Sequence, residues 1–157
     1  MGEQNHVALA VQTLTAPAHR RRAAEPPSQT LDVTVLFTSV EPTLAALRTA
    51  GELASRLNCR ITVVAPQLVP YPLPLASPPV LVEFNERRFR VIAEEARVDT
   101  SVQVYLCRDR TEALLAALAP HSLIVIGMRP CWWPTADKRL ASKLRRAGHE
   151  VLITETE

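Results

Sequence analysis

A short apolar run, Leu123 to Ile126, ends in one glycine, Gly127, and passes at once into Met128, Arg129, Pro130, Cys131, Trp132, Trp133 and Pro134. An apolar strand running into glycines is the usual start of a phosphate cradle, because glycine lets the backbone approach an anion and present its N–H groups. Here the chain soon places a proline, which has no N–H and a fixed φ. Arg129 could hold an anion by its side chain instead. Cys131 could act as a redox-sensitive thiol, since the charge of Arg129 would favour thiolate, although such a cysteine is more often a small inert hydrophobe. Trp132 and Trp133 could stack on a planar ligand or anchor a partner. Structurally, one indole is expected to cover the open end of a sheet and fill an emptied cleft, leaving the other partly exposed.

Beyond this loop, groups able to do chemistry are sparse. Asp109 and Glu112 form a D-x-x-E helix-capping signature, which accounts for both carboxylates. His6, His19, His121 and His149 are scattered, with neither an HExxH motif nor an i, i+4 pair, so no metal site is expected. Cys59, Cys107 and Cys131 include no CxxC pair, which argues against a zinc site or a disulfide framework and for a reducing cytoplasm. No G-x-S-x-G and no paired carboxylates stand at a recognisable site, so the expected mode of action is binding rather than catalysis. Lys138, Arg139, Lys143, Arg145 and Arg146 make the last helix basic and are expected to form a solvated face. A net charge of +2 over 157 residues gives no reason to expect a membrane or a specific nucleic acid as partner.

The elements that must position these residues are legible from periodicity. With 47% hydrophobic residues the chain can bury the core of one domain. Residues 1–30 end in "HRRRAAEPPSQT" and are expected to form a disordered tail. The stretch "VALAVQTLTAPA" superficially resembles a signal peptide, but Gln12 and Thr13 break its apolar run and the basic triplet follows it. From residue 31 to the end, one α/β domain is expected. β-Branched runs at 33–38, 60–66, 101–107, 122–127 and 150–154 read as strands. Glu41-Pro42 opens a first helix, with Leu47, Ala50, Ala54 and Leu57 as its buried stripe. The segment 66–79, with six prolines in fourteen residues, reads as an extended loop. A second helix over 80–97 should turn Leu81, Phe84, Val91 and Ile92 inward. A third closes at Pro120. The last carries Ala136, Leu140, Leu144 and Ala147 inward and ends at Gly148. This alternation predicts a parallel sheet with helices on both faces.

Over Leu31 to Thr154 the chain resembles the universal stress protein family. The resemblance rests on the spacing of Ala46, Leu47, Ala50, Leu53 and Ala54, on "SLIVIG", and on the ending "KLRRAGHEVLIT". It implies a Rossmann-like, five-stranded parallel sheet in the order 3-2-1-4-5, a role in the stress response, and a homodimer formed through the C-terminal strand. It also implies a ligand crevice at the switch point of the sheet. Thr38, Ser39, Val63, Gly127, Met128 and Arg129 are the residues it would place there. Nucleotide-binding members carry an acidic residue where Thr38 stands, and Gly-x2-Gly-x9-Gly-Ser/Thr after the fourth of the five strands. This sequence keeps Gly127, replaces the second glycine by Pro130, and has no further glycine before Gly148. The expectation is therefore a degenerate nucleotide site and no cofactor, ATP being the one the resemblance would allow. The expected role is that of a cytoplasmic regulatory protein with a protein partner. The alternatives are an ATP-binding member with an atypical phosphate loop and a thiol redox sensor acting through Cys131.

Overall fold

The computed structural model describes residues 9–15, 32–75, 82–96 and 100–157. The elements are β1 (Leu9–Thr15), β2 (Asp32–Leu36), α1 (Val40–Leu57), β3 (Arg60–Leu68), α2 (Val82–Ala96), β4 (Thr100–Cys107), α3 (Arg110–Ala117), β5 (Leu123–Met128), α4 (Ala136–Arg146) and β6 (Glu150–Glu155). All strand pairings are parallel, in the order β1-β4-β3-β2-β5-β6. Setting β1 aside, this is the five-stranded order 3-2-1-4-5.

Strand alternation divides the core between the two faces. Val33, Val35, Ile61, Val63, Ala65, Val102, Val104 and Val125 turn toward α1 and α2 and bury Ala46, Leu47, Ala50, Phe89 and Ile92. Leu36, Val64, Ile124, Ile126 and Val151 turn the other way and bury Leu114, Leu140, Ala141 and Leu144 of α3 and α4. Strands covered on both faces need apolar residues on both, which is why their sequences do not alternate with polar ones.

Local signals end the helices where the sequence places them. Asp109 Oδ1 accepts from the Glu112 N–H at 2.8 Å, capping α3. Gly148 takes φ +94°, a conformation that favours glycine, and lets the Gly148 and His149 N–H groups bond to the Arg145 and Leu144 carbonyls.

Four expectations are corrected. First, hydrophobic patterning marks no element in the N-terminal segment, yet Leu9–Thr15 lies beside β4 as a sixth strand. Its Val and Thr content suits a strand, but the pairing itself is long-range and leaves no local mark. The rest of 1–30 lies outside the described residues.

Second, β3 continues through Pro66 to Leu68, although 66–79 reads as loop. Proline's cost in a sheet depends on where its missing N–H would point. The Phe37 N–H donates to the Val64 carbonyl, so residues 64 and 66 address β2, while the Val69 N–H donates to Cys107 on the β4 side. The ladder with β2 would next need an N–H at 66, and β2 has already ended at Leu36. Pro66 thus closes one ladder and leaves the other intact.

Third, α2 is rotated relative to the expected stripe. Phe89 and Ile92 are buried, Phe84 and Val91 are more than half exposed, and Leu81 lies outside the described residues. Fourth, the outer ends of two other stripes are solvated, with Leu57 half-exposed and Ala136 and Ala147 exposed.

The start of β6 carries a titratable group. His149 is buried, and its Nδ1 accepts from the Ser122 N–H at 3.2 Å, so this nitrogen must be unprotonated. Burial lowers the His149 pKa, and the neighbouring His121 lowers it further. The unfolded chain therefore takes up a proton first as pH falls. Stability should be full above the ordinary histidine value of about 6.5, decline as pH drops from there through the lowered folded value, and then level off. Denaturant midpoints between about pH 7.5 and about pH 5 should show this decline, and His149→Gln should flatten it. An equally steep decline in the variant would assign the effect to other groups.

Candidate functional site

β2 lies at the centre of the sheet, and the chain leaves it first toward β3 on one side and later toward β5 on the other. The point of reversal is between β2 and β5, and ligands of open α/β sheets bind beyond the carboxyl ends of the strands there. Phe37, Thr38 and Ser39 follow β2 at this place; Gly127 and Met128 end β5, and Arg129 follows it.

Thr38 joins the two strand ends. Ladder geometry would send the Thr38 N–H to the Gly127 carbonyl, but that N–H donates instead to Thr43 Oγ1 of α1 at 3.3 Å. The Thr38 hydroxyl takes its place and donates to the Gly127 carbonyl at 3.0 Å. A carboxylate at position 38 could not donate this bond. Thr38 therefore closes the junction between β2 and β5.

Gly127 serves a close approach between helix and sheet. By alternation its side-chain position faces α1, like Val125. A Cβ built there would lie 1.7 Å from the Pro42 carbonyl oxygen and 2.3 Å from the Pro42 carbonyl carbon. The first turn of α1 thus presses directly on the end of β5, and only glycine leaves room.

Ser39 is the N-cap of α1 in extended conformation (φ −152°, ψ 172°), with no hydrogen bond from its hydroxyl to the helix. Over this helix end, Arg129 Nη2 meets Glu41 Oε2 at 3.1 Å, with both side chains about 70% exposed (70% and 72%). Exposed pairs of this kind contribute roughly 0–1 kcal/mol. Met128 is buried among the α4-side core residues. Val63 is also core, 2% exposed in the middle of β3 under α1.

The loop from β5 to α4 contains Pro130 and Pro134, so two of its positions offer no N–H. The N-terminus of α4 is satisfied internally: Thr135 Oγ1 accepts from the Lys138 N–H at 3.3 Å, and Lys138 Nζ donates back to the Cys131 carbonyl. That contact uses the Cys131 backbone rather than its thiol, and Cys131 is half-buried and unpaired. Cys107 is a buried thiol whose pKa is raised, chiefly by burial and then by Asp109. Among the described residues, no three potential ligands gather in a way that could hold a metal ion.

The tryptophans depart from expectation. Trp132 is fully exposed (102%) and Trp133 nearly so (78%), so neither fills the crevice. On the far side of the sheet end, the proline-rich segment after β3 is held by Arg108, which sequence patterning did not single out. Its guanidinium donates to the Val69 and Leu73 carbonyls, both at 2.6 Å, and stacks over the Tyr71 ring at 4.1 Å. An arginine just after a strand that runs beside a proline-rich segment was the available signal.

No protein-family model matches the sequence, and no curated protein sequence matches it. Solved structures do. A protein of the universal stress protein family from Burkholderia pseudomallei is 23% identical, with a TM-score of 0.54 over 82% of this chain and 98% of its own. A universal stress protein from Archaeoglobus fulgidus is 15% identical, with a TM-score of 0.55 over 79% of this chain and 93% of its own. The chain has the universal stress protein fold. A further universal stress protein, solved in complex with cAMP, is 20% identical, with a TM-score of 0.50 over 80% of this chain and 97% of its own. Against the nucleotide-binding pattern of universal stress proteins, strict spacing from Gly127 puts Leu140 and Ala141 at the final Gly-Ser/Thr. Both are buried in the core beneath α4, where they cannot face a ligand. Among the described residues, no helix is long and apolar enough to cross a membrane.

Proposed function

We propose that this protein is a stress-response regulatory protein that acts by binding, with a degenerate nucleotide site, in a reducing cytoplasm. The observation that carries this reading is the junction of β5 and α4. Gly127 is committed to Pro42, Pro130 and Pro134 bring no N–H, and Thr135 already caps α4. A triphosphate needs several convergent donors at a helix N-terminus or nest. The homodimer proposed with it is supported by β6, which forms one edge of the sheet and leaves Leu152 and Ile153 partly exposed.

Calorimetric titration with ATP and magnesium tests the degenerate site. The expected dissociation constant is no tighter than about millimolar, corresponding to about 4 kcal/mol of binding free energy. Because both tryptophans sit in the loop concerned, their emission should not respond to ATP. cAMP belongs in the same experiment: one similar fold was solved with it, and a single phosphodiester charge demands fewer donors than a triphosphate. Micromolar affinity for ATP would overturn the degenerate site. It would favour a nucleotide-binding protein in which Arg129 and the basic α4 replace the missing amides.

A further inference from the structure

We propose that the loop from β5 to α4, together with the solvent face of α4, is a docking surface for anionic phospholipid membranes. Both tryptophans of the chain lie side by side on this loop, and both are solvated, 102% and 78% exposed. Each indole presents about 150–250 Å² of largely apolar surface. The bilayer interface suits such a group, burying the ring while leaving its N–H near water and headgroups. The tip is also pre-organised. Pro130 and Pro134 bracket the tryptophans, Lys138 Nζ ties the Cys131 carbonyl to the first turn of α4, and Thr135 fixes the start of that helix. Docking therefore orders little that is not already ordered.

Charge completes the surface. Between Arg129 and Arg146 there are six cations and one acid, Asp137, although the whole chain carries only +2. Asp137 is engaged by Arg110 at 3.0 Å, and the nearby Glu41 by Arg129. Arg139, Lys143 and Arg146 are exposed, and their spacing of four and three residues puts them on one face of α4. That face lies opposite the buried Leu140, Ala141 and Leu144. The stripe runs about 10 Å along the helix from the tryptophan loop. Stable membrane association takes two signals, and an apolar anchor with an adjoining basic patch provides both. Single-stranded nucleic acid fits less well: bases stack on aromatics along a groove, whereas these two rings are consecutive residues on an exposed loop.

Co-sedimentation of the full chain with phosphatidylcholine vesicles, with and without phosphatidylglycerol, tests the proposal. Binding is expected only with phosphatidylglycerol, with a blue shift of tryptophan emission and loss at high salt. Replacing Trp132 and Trp133 together by alanine should weaken binding at least about tenfold, on the area those rings would bury. The triple variant Arg139→Gln, Lys143→Gln, Arg146→Gln should weaken it about a hundredfold, at about 1 kcal/mol for each cation near an anionic surface. All five positions are exposed, so circular dichroism should be unchanged. A control triple on the opposite face, Arg48→Gln, Arg56→Gln, Arg90→Gln, should bind like the unaltered protein. Equal binding to neutral vesicles, no binding to either, or equal loss in the control triple would overturn the proposal. So would an emission change with oligothymidylate and none with anionic vesicles, which would assign the surface to nucleic acid.

Discussion

Gly127→Ala should destabilise the domain by about 3 kcal/mol or more, at the upper end of what overpacking costs. The added Cβ would meet the carbonyl oxygen, carbonyl carbon and Cα of Pro42 at 1.7, 2.3 and 2.9 Å. These are backbone atoms, so no side chain can swing aside, and relief requires the first turn of α1 to lift from the sheet. The helix is not free to move, because Ala46, Leu47 and Ala50 are fully buried against β2, β3 and β5. The same movement would strain the Thr38 hydrogen bonds to Thr43 and Gly127. Thermal unfolding should drop by about 10 °C, given roughly 2–4 °C per kcal/mol in a domain of this size. A variant within about 1 kcal/mol of the parent would show that α1 yields cheaply. It would also reopen a ligand-facing role for this glycine, since a cradle residue can lose binding without losing stability.

Part of the candidate site is legible in the sequence and part is not. That Gly127 ends an apolar strand near the switch point follows from patterning, because the fold fixes where β2 and β5 end. Thr38, Ser39, Met128 and Arg129 lie at or just beyond those strand ends for the same reason. What Gly127 is for could not be read, since Pro42 lies far away in sequence and meets it only through packing. Val63 lies in mid-strand rather than at a strand end because β3 runs well past it, and the extent of β3 depends on which neighbour Pro66 addresses. One of the two tryptophans is expected to bury because it is large and apolar. Nothing local records that the proline-bracketed loop holds them away from the sheet. Caps are different: Asp109 and Gly148 act on their own helix ends, so the chemistry and its partner lie within a few residues of one another.

Ile153→Pro should convert the proposed homodimer to a monomer and leave the fold intact, whereas Leu152→Pro should damage the fold itself. The distinction comes from the direction of the backbone groups in β6. The Glu150 N–H donates to the Ser122 carbonyl and the Thr156 N–H to the Met128 carbonyl, so the even-numbered residues of this strand face β5. Leu152 lies between them in the same register, opposite Val125. A proline there removes a ladder bond, at a cost of about 1–3 kcal/mol for the acceptor left behind. Val151, Ile153 and Glu155 face outward. The Val151 carbonyl already accepts from Arg145 Nη2 at 2.9 Å, which narrows the open edge to Ile153 and Glu155 and to the Val151 N–H. A second copy pairing along β6 would therefore depend most on Ile153, a residue 39% exposed whose N–H lies mid-edge. Removing that one donor should shift sedimentation from dimer to monomer at micromolar concentration while far-ultraviolet circular dichroism stays the same. A dimer that survives Ile153→Pro unchanged would place the interface away from β6, because no other single substitution removes an outward donor from the middle of that edge while sparing β5.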